Sequence, residues 1–247
     1  MLSVLYEIRN QYTGKLNTMK LTILGATGGT GTCLVEQAIA AGHEVTVVVR
    51  DPARLALRNG PAVPGGLGPA GRLAVPAGQR LRIVTADIMD PAAIIPAVTG
   101  ADAVLSAVGP HGTGPTTVSQ DSCRSIIQAM RKTGGRRLLV VTGSIVADEG
   151  ESPYLRYLLK PLVRGTLLRH VCADMRRAED EIRASSLDWT IVRPPSLTGQ
   201  AARGTYRTAI DRNLPHGFRV SRADVAACLL TLIGDPVTVH RHVGIAH

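Results

Sequence analysis

Aromatic side chains are almost missing from this chain: one tryptophan, one phenylalanine and five tyrosines in 247 residues. A core must therefore be built from Ala, Val, Leu and Ile, and few rings remain for stacking on exposed bases. Acidic residues are also short, 19 against 28 Lys and Arg, for a formal net charge of +9. The excess is not gathered on one element. Arginines are scattered, with only short clusters at Arg136-Arg137, Arg176-Arg177 and the Arg50, Arg54, Arg58 series. A nucleic-acid binder concentrates its charge or interleaves it with aromatics. The expectation is an arginine-biased surface with some sites for an anionic cofactor, and no nucleic-acid partner.

Long apolar runs are missing too. None approaches the roughly 18 residues needed to cross a bilayer, so no membrane partner is expected. Residues 1–18 lack a basic segment followed by a sustained apolar one, so they do not read as a secretory signal. They are expected to be an N-terminal extension, frayed or left by an early start site, ahead of a domain beginning at Met19. Cys33, Cys123, Cys172 and Cys228 are far apart and without metal-ligand spacing. They read as reduced thiols of a cytoplasmic protein with no metal site.

What is present is a strand–glycine–helix signal. Residues 20–31, KLTILGATGGTG, run a short apolar strand into glycines at Gly25, Gly28 and Gly31, and the helix-compatible TCLVEQAIAAG follows. Gly25 permits the tight turn, Gly28 lets backbone approach phosphates, and Gly31 lets the helix pack on the sheet. The free N–H groups of the helix start face the anion. A glycine triplet between a periodic strand and a periodic helix is the fingerprint of a dinucleotide site.

Strand and helix then alternate, which predicts a Rossmann-type, doubly wound parallel sheet in three layers. Predicted strands are Lys20–Leu24, Glu44–Val49, Arg82–Ala86, Ala103–Ala107, Arg137–Thr142 and Trp189–Arg193, the last stopped by Pro194-Pro195. Predicted helices are Thr30–Ala41, Pro91–Val98 with Asp90 as N-cap, Thr116–Thr133, His170–Ser185 and Arg222–Ile233, which opens on Ser221 and Asp224. A last strand is expected over Val239–Ile245, and the pattern loosens between Pro195 and Arg222. Residues 59–79, rich in Gly, Pro and Ala, read as a loop insertion. Residues 19–247 thus form one domain with a small C-terminal substrate-binding portion, in a monomer or homodimer.

The residues after the second strand bear on the choice of dinucleotide. An enzyme for NAD usually places an acid there, on the ribose hydroxyls. Here the strand ends VVVRDPARL, with Arg50 first and Arg54 four positions on. A guanidinium pairs bidentately with the 2′-phosphate of NADP and stacks on adenine. NADP(H) is therefore expected over NAD(H). Asp51 is the competing acid, with an alternative use as the cap before Pro52.

GATGGTG, VVVRDPARL, TADIMD, DAVLSAVG, LLVVTGS, LDWTIVRPP and VSRADVA occur in that order. Together they resemble the atypical short-chain dehydrogenase/reductases, within them the NAD(P)H-binding NmrA-like proteins and the biliverdin-IXβ/flavin reductases. The likeness runs from about Met19 to Ile233, apart from the insertion. It implies that Thr27, Gly28, Gly29 and Thr30 hold the pyrophosphate. It also implies Asp87 and Ile88 beside the adenine, and Ala107, Val108 and Gly109 along the ribose and nicotinamide phosphate. Thr142, Gly143 and Ser144 would lie at the nicotinamide, and Arg193, Pro194 and Pro195 around its carboxamide. His111, Ser196 and Leu197 would face the substrate.

The chain departs from that group where the acid should be. Four residues before Lys160 stands Arg156, not the tyrosine of a Tyr-x-x-x-Lys pair, and Tyr154 and Tyr157 are out of register. Ser144 and Tyr154 are the catalytic candidates. Reduction of a plain ketone makes a basic alkoxide that benefits from an internal acid. Hydride addition to a flavin, quinone or enone makes a delocalised anion that water can protonate. The expected function is thus NADPH-dependent reduction of a small conjugated or aromatic molecule. An NmrA-like cofactor sensor without catalysis, and a non-redox isomerase, are the alternatives.

Overall fold

The structure is a computed structural model, and it describes residues 18–55, 81–147, 165 and 168–247. Tyr154, the insertion at 59–79 and the stretch 152–164 lie outside the described residues.

Strands whose two faces are both apolar become the middle layer of a parallel sheet. β1 (Lys20–Leu24), β2 (Glu44–Val49), β4 (Ala103–Ser106), β5 (Arg137–Val141) and β6 (Asp188–Arg193) are of this kind, whereas β3 (Leu81–Thr85), none of whose residues is buried, lies at the edge. Side chains alternate between two cores. Leu21, Ile23, Val45, Val47, Leu105, Leu139 and Val192 face α1 (Gly29–Ala40). Leu24, Val48, Val104, Leu138, Val140 and Ile191 face α2 (Pro91–Val98), α3 (Val118–Thr133) and α4 (Arg169–Arg183). Cys123 lies in the second core, where burial pushes its thiol up to about 12. Asp90 caps α2 as expected, accepting from the Ala92 N–H at 2.9 Å.

The region where the sequence pattern loosens holds three further strands. β7 (Ser196–Thr198) pairs with β9 (Arg219–Ser221) in a small two-stranded sheet, and β8 (Arg207–Ile210) joins the main one. Each is three or four residues long with at most two apolar side chains, so no apolar run marks it in the sequence. α5 (Arg222–Leu232) then packs beside α1, and β10 (Arg241–Ala246) lies parallel to β6. The eight-stranded order is β3-β2-β1-β4-β5-β6-β10-β8, with β8 antiparallel at the edge. Strand order reverses at β1, which separates β2 from β4. In open α/β sheets the ligand crevice lies outside the carboxyl ends at such a switch point.

Members of the Arg136-Arg137 and Arg176-Arg177 clusters take separate structural roles. Arg136 pairs with Asp188 at 3.0 Å, Arg177 donates to Gln120 at 2.8 Å, and Arg137 donates to the carbonyls of Leu232 and Ile233 at the end of α5.

Candidate functional site

Gly25 leaves β1 with φ of +80°, and a Cβ there would lie 2.7 Å from the Ala107 carbonyl and 2.8 Å from the Val108 nitrogen. The glycine turn and the loop after β4 are thereby in direct contact. A Cβ on Gly31 would collide with the Gly25 carbonyl oxygen. The turn is closed by a 3.0 Å hydrogen bond from the Gly28 N–H to that same oxygen. α1 begins on Gly28 with no side-chain cap and no acid in its first turn. Its leading N–H groups are left for an external anion. Thr27 is exposed at the rim, Thr30 is buried against the helix, and Gly29 is exposed between them.

Arg50 and Arg54 are both exposed beyond the end of β2. Asp51 turns onto its own backbone, accepting from the Ala53 N–H at 3.0 Å to cap the turn Pro52–Arg54. Asp87 does likewise, accepting from the Met89 N–H at 3.1 Å, with Ile88 half-buried behind it. Val108 and Gly109 are half-buried, whereas His111 is exposed further along the loop.

Two strands away, the ends of β5 and β6 are joined. The Thr142 N–H donates to Val192 at 2.9 Å and the Ser144 N–H to Pro194 at 2.8 Å. The Asn213 amide donates to the carbonyls of both Ser144 and Ala147 at 3.1 Å, so the Ser144 turn is held from the far side. Arg193 does not reach freely toward a carboxamide. Its guanidinium is bound by the buried Glu179, with Nε–Oε1 of 3.0 Å and Nη2–Oε2 of 2.5 Å, and the Thr142 hydroxyl donates to Glu179 at 2.8 Å. Nearby His242 is lowered from its ordinary value by burial and by the Arg193 charge, against the pull of Glu179. Pro195 and Leu197 are half-buried and Ser196 is exposed, all leading into β7.

Reading the sequence did not single out Glu179, Asp174, Asn213 or Arg222. Asp174 is wholly buried and accepts from the Ser119 and Gln120 N–H groups at 2.8 and 3.1 Å, capping α3 from α4. Arg222 lies against Gly29: a Cβ there would stand 2.6 Å from its Cδ. Long-range pairs such as Asp174 with Ser119 leave no local signal. Arg222 had one, its place inside VSRADVA at a helix start.

The sequence matches the family model described as NAD(P)H-binding over residues 25–236. The chain belongs to the NAD(P)H-binding family. Within what is similar to it, the UPF0659 protein of Saccharomyces cerevisiae is 28% identical over 160 residues, 62% of this chain and 66% of that protein. An uncharacterized chloroplastic protein of Arabidopsis thaliana is also 28% identical, over 76% of this chain. The chain spans just under two thirds of the length of these two relatives, 66% and 63%. The oxidoreductase ptaF of Pestalotiopsis fici is 24% identical over 88% of this chain and 80% of its own length.

Among solved structures, a short-chain dehydrogenase/reductase from Veillonella parvula in complex with NADP superposes with a TM-score of 0.71. It is 18% identical over 93% of this chain and 94% of that one. ChuY, an anaerobilin reductase from Escherichia coli O157:H7, superposes at 0.67, with 24% identity over 92% and 96%. These likenesses establish the Rossmann fold of the NAD(P)H-binding family. The chain's own residues fit such a cofactor: the glycines leave no room for a Cβ, and the start of α1 carries neither cap nor acid.

Proposed function

We infer that this NAD(P)H-binding chain is an oxidoreductase that prefers NADPH and reduces a small conjugated or aromatic acceptor. The observation that carries the cofactor choice is the pair at the end of β2, where Asp51 is spent on the Ala53 N–H while Arg50 stands exposed. An exposed guanidinium there suits a 2′-phosphate, and an acid already bonded to its own backbone is less available to ribose hydroxyls. The NADP complex of the Veillonella parvula neighbour is consistent with this choice.

Thr27, Gly28, Gly29, Thr30 and the turn Gly25–Gly31 are assigned to the diphosphate, with Arg50 and Arg54 on the 2′-phosphate. Asp87 and Ile88 are assigned to the adenine, and Ala107, Val108 and Gly109 to the ribose and the nicotinamide-side phosphate. Thr142, Gly143, Pro194 and Pro195 border the nicotinamide, and His111, Ser196 and Leu197 the acceptor. Arg193 acts there as a positioning residue, tying β6 to Glu179 and through it to Thr142. When bound, the reduced nicotinamide supplies hydride. The chain's contribution is to hold the acceptor in line, exclude water and offer the Ser144 hydroxyl as a hydrogen-bond donor.

No Tyr-x-x-x-Lys pair ends at Lys160, which favours acceptors whose reduced form is a delocalised anion. The oxidoreductase name of ptaF and the anaerobilin reductase activity named for ChuY support the same reaction class. NADPH absorbance, followed with flavins, quinones, enones and simple aliphatic ketones, is expected to fall with the conjugated acceptors only. In the same preparation, Arg50→Ala should raise the NADPH dissociation constant about 10-fold or more with little change for NADH. Turnover confined to aliphatic ketones, or equal effects on both dinucleotides, would contradict the reading.

A further inference from the structure

The stretch VSRADVA closes β9 and opens α5, and it is locked in place from three sides. Ser221 caps α5, its Oγ accepting from the Asp224 N–H at 3.0 Å and donating to Asp224 Oδ2 at 2.7 Å. The wholly buried Asp224 carboxylate also accepts from the Arg203 and Gly204 N–H groups, each at 3.0 Å, and meets His247 Nε2 at 2.8 Å. A further bond, from the Gln37 amide to the Ala223 carbonyl at 2.9 Å, sets the register of α5 against α1. The first turn of α5 therefore has little freedom, and Arg222 is the residue it delivers to the glycine turn.

Arg222 is half-buried, and the end of its stem approaches Gly29. A Cβ on Gly29 would stand 2.6 Å from Arg222 Cδ and 2.9 Å from Nε, and one on Gly199 would stand 4.0 Å from Nη1. Glycine at position 29 is thus the condition for this approach. Among the described residues, the guanidinium has neither a hydrogen-bond partner nor an ion pair, unlike Arg124, Arg136, Arg183, Arg193 and Arg241, each paired with a carboxylate. It rests instead beside the start of α1, whose first turn holds no acid. A fixed cation beside the positive end of a helix dipole is unfavourable unless an anion joins them.

We propose that Arg222 is a direct ligand of the cofactor's diphosphate, reaching it from α5 across Gly29, and that the Ser221–Asp224 lock is the device that positions it. The inference rests on the reading of the glycine turn as the diphosphate site and adds to it a side chain from the opposite end of the sequence. Two charged arms then hold the dinucleotide at different points, Arg222 at the diphosphate and Arg50 at the 2′-phosphate. The gap between β1 and α5 in the chain, nearly the whole domain, explains why the glycine motif does not announce this residue.

The test uses ligands that separate the two phosphates. NADPH, ADP and adenosine 2′-monophosphate are titrated against the wild-type chain, Arg222→Gln and Arg222→Lys, by calorimetry or by competition with NADPH fluorescence. Arg222→Gln should weaken NADPH and ADP by about 10- to 100-fold, the range for losing a charge-assisted hydrogen bond. Adenosine 2′-monophosphate, which has no diphosphate, should bind as before, and Arg222→Lys should recover part of the loss. Unchanged binding of NADPH and ADP to Arg222→Gln overturns the inference while leaving the cofactor site intact. Equal loss for all three ligands, or a lowered melting temperature in both variants, assigns Arg222 a structural role and also overturns it. A wild-type chain that binds neither NADPH nor NADH overturns the cofactor reading and the inference together.

Discussion

The helices α1 and α3 both start at the carboxyl edge of the sheet, and their first turns are completed in opposite ways. α3 receives a carboxylate from within the protein, the wholly buried Asp174 of α4, on the Ser119 and Gln120 N–H groups. α1 receives none: Gly28 offers no side chain, the first turn has no acid, and the neighbouring charge is the Arg222 cation. Orphan N–H groups at a helix start have to be satisfied by something. Where the protein supplies the anion, the helix end is architecture. Where it supplies glycines and a cation, the helix end is left able to take a ligand that carries the anion itself, as we propose.

The largest expected effect falls on the open end. Gly31→Ala places a Cβ against the Gly25 carbonyl oxygen, which backbone cannot yield without opening the turn. We expect a loss of about 3 kcal/mol of stability and about 100-fold in NADPH affinity, read by thermal denaturation and by titration. Near-normal NADPH binding by this variant would remove the turn from the site. The closed end should respond differently. Asp174→Ala strips the cap from α3 and should cost about 1–2 kcal/mol, measured by urea unfolding, while NADPH affinity stays within about twofold. A fall in affinity as large as that for Gly31→Ala would mean that the two helix ends are not functionally distinct.

The smallest effect is expected at α5, whose end is capped by Ser221 and tied by Asp224. Burial pushes the Asp224 carboxyl up, but hydrogen bonds from Arg203, Ser221, His247 and Gly204 together hold it below its ordinary value. A carboxylate whose folded value is lowered gives its stabilisation in full above the ordinary value, near pH 4. That contribution is lost as pH falls through the lowered folded value. Melting temperatures of the wild type and Asp224→Asn should therefore differ at pH 6 and converge as pH drops below about 4. A gap that stays constant down to pH 3 would show that the ionised carboxylate contributes nothing to this joint.

The elements that sequence periodicity predicts are those with three or more apolar residues in a short run or on one helix face. Lys20–Leu24, Glu44–Val49 and Pro91–Val98 occur with the bounds expected, and the other helix and strand ends up to β6 differ by one or two residues. The exceptions are β7, β8 and β9, whose three or four residues are fixed by what they pair with: Ser196 with Arg219, and Ile210 with Val243. The glycine turn was legible because its requirement is local, a positive φ at Gly25 and the exclusion of a Cβ at Gly31. The family resemblance implies Arg193 at the carboxamide. That it turns onto Glu179 was not legible, because the partner lies 14 positions away on another element.

The sequence by itself determined the three-layer α/β fold, the dinucleotide turn and the arginine at the end of β2, since each is written in neighbouring residues. Only the tertiary structure decided which charges are spent and which remain available. Asp51 is consumed by its own backbone, Asp174 by α3 and Arg193 by Glu179, whereas Arg222 is carried to Gly29 without a carboxylate. Electrostatic pairing depends on distance in space, and the sheet brings together residues that the chain keeps far apart.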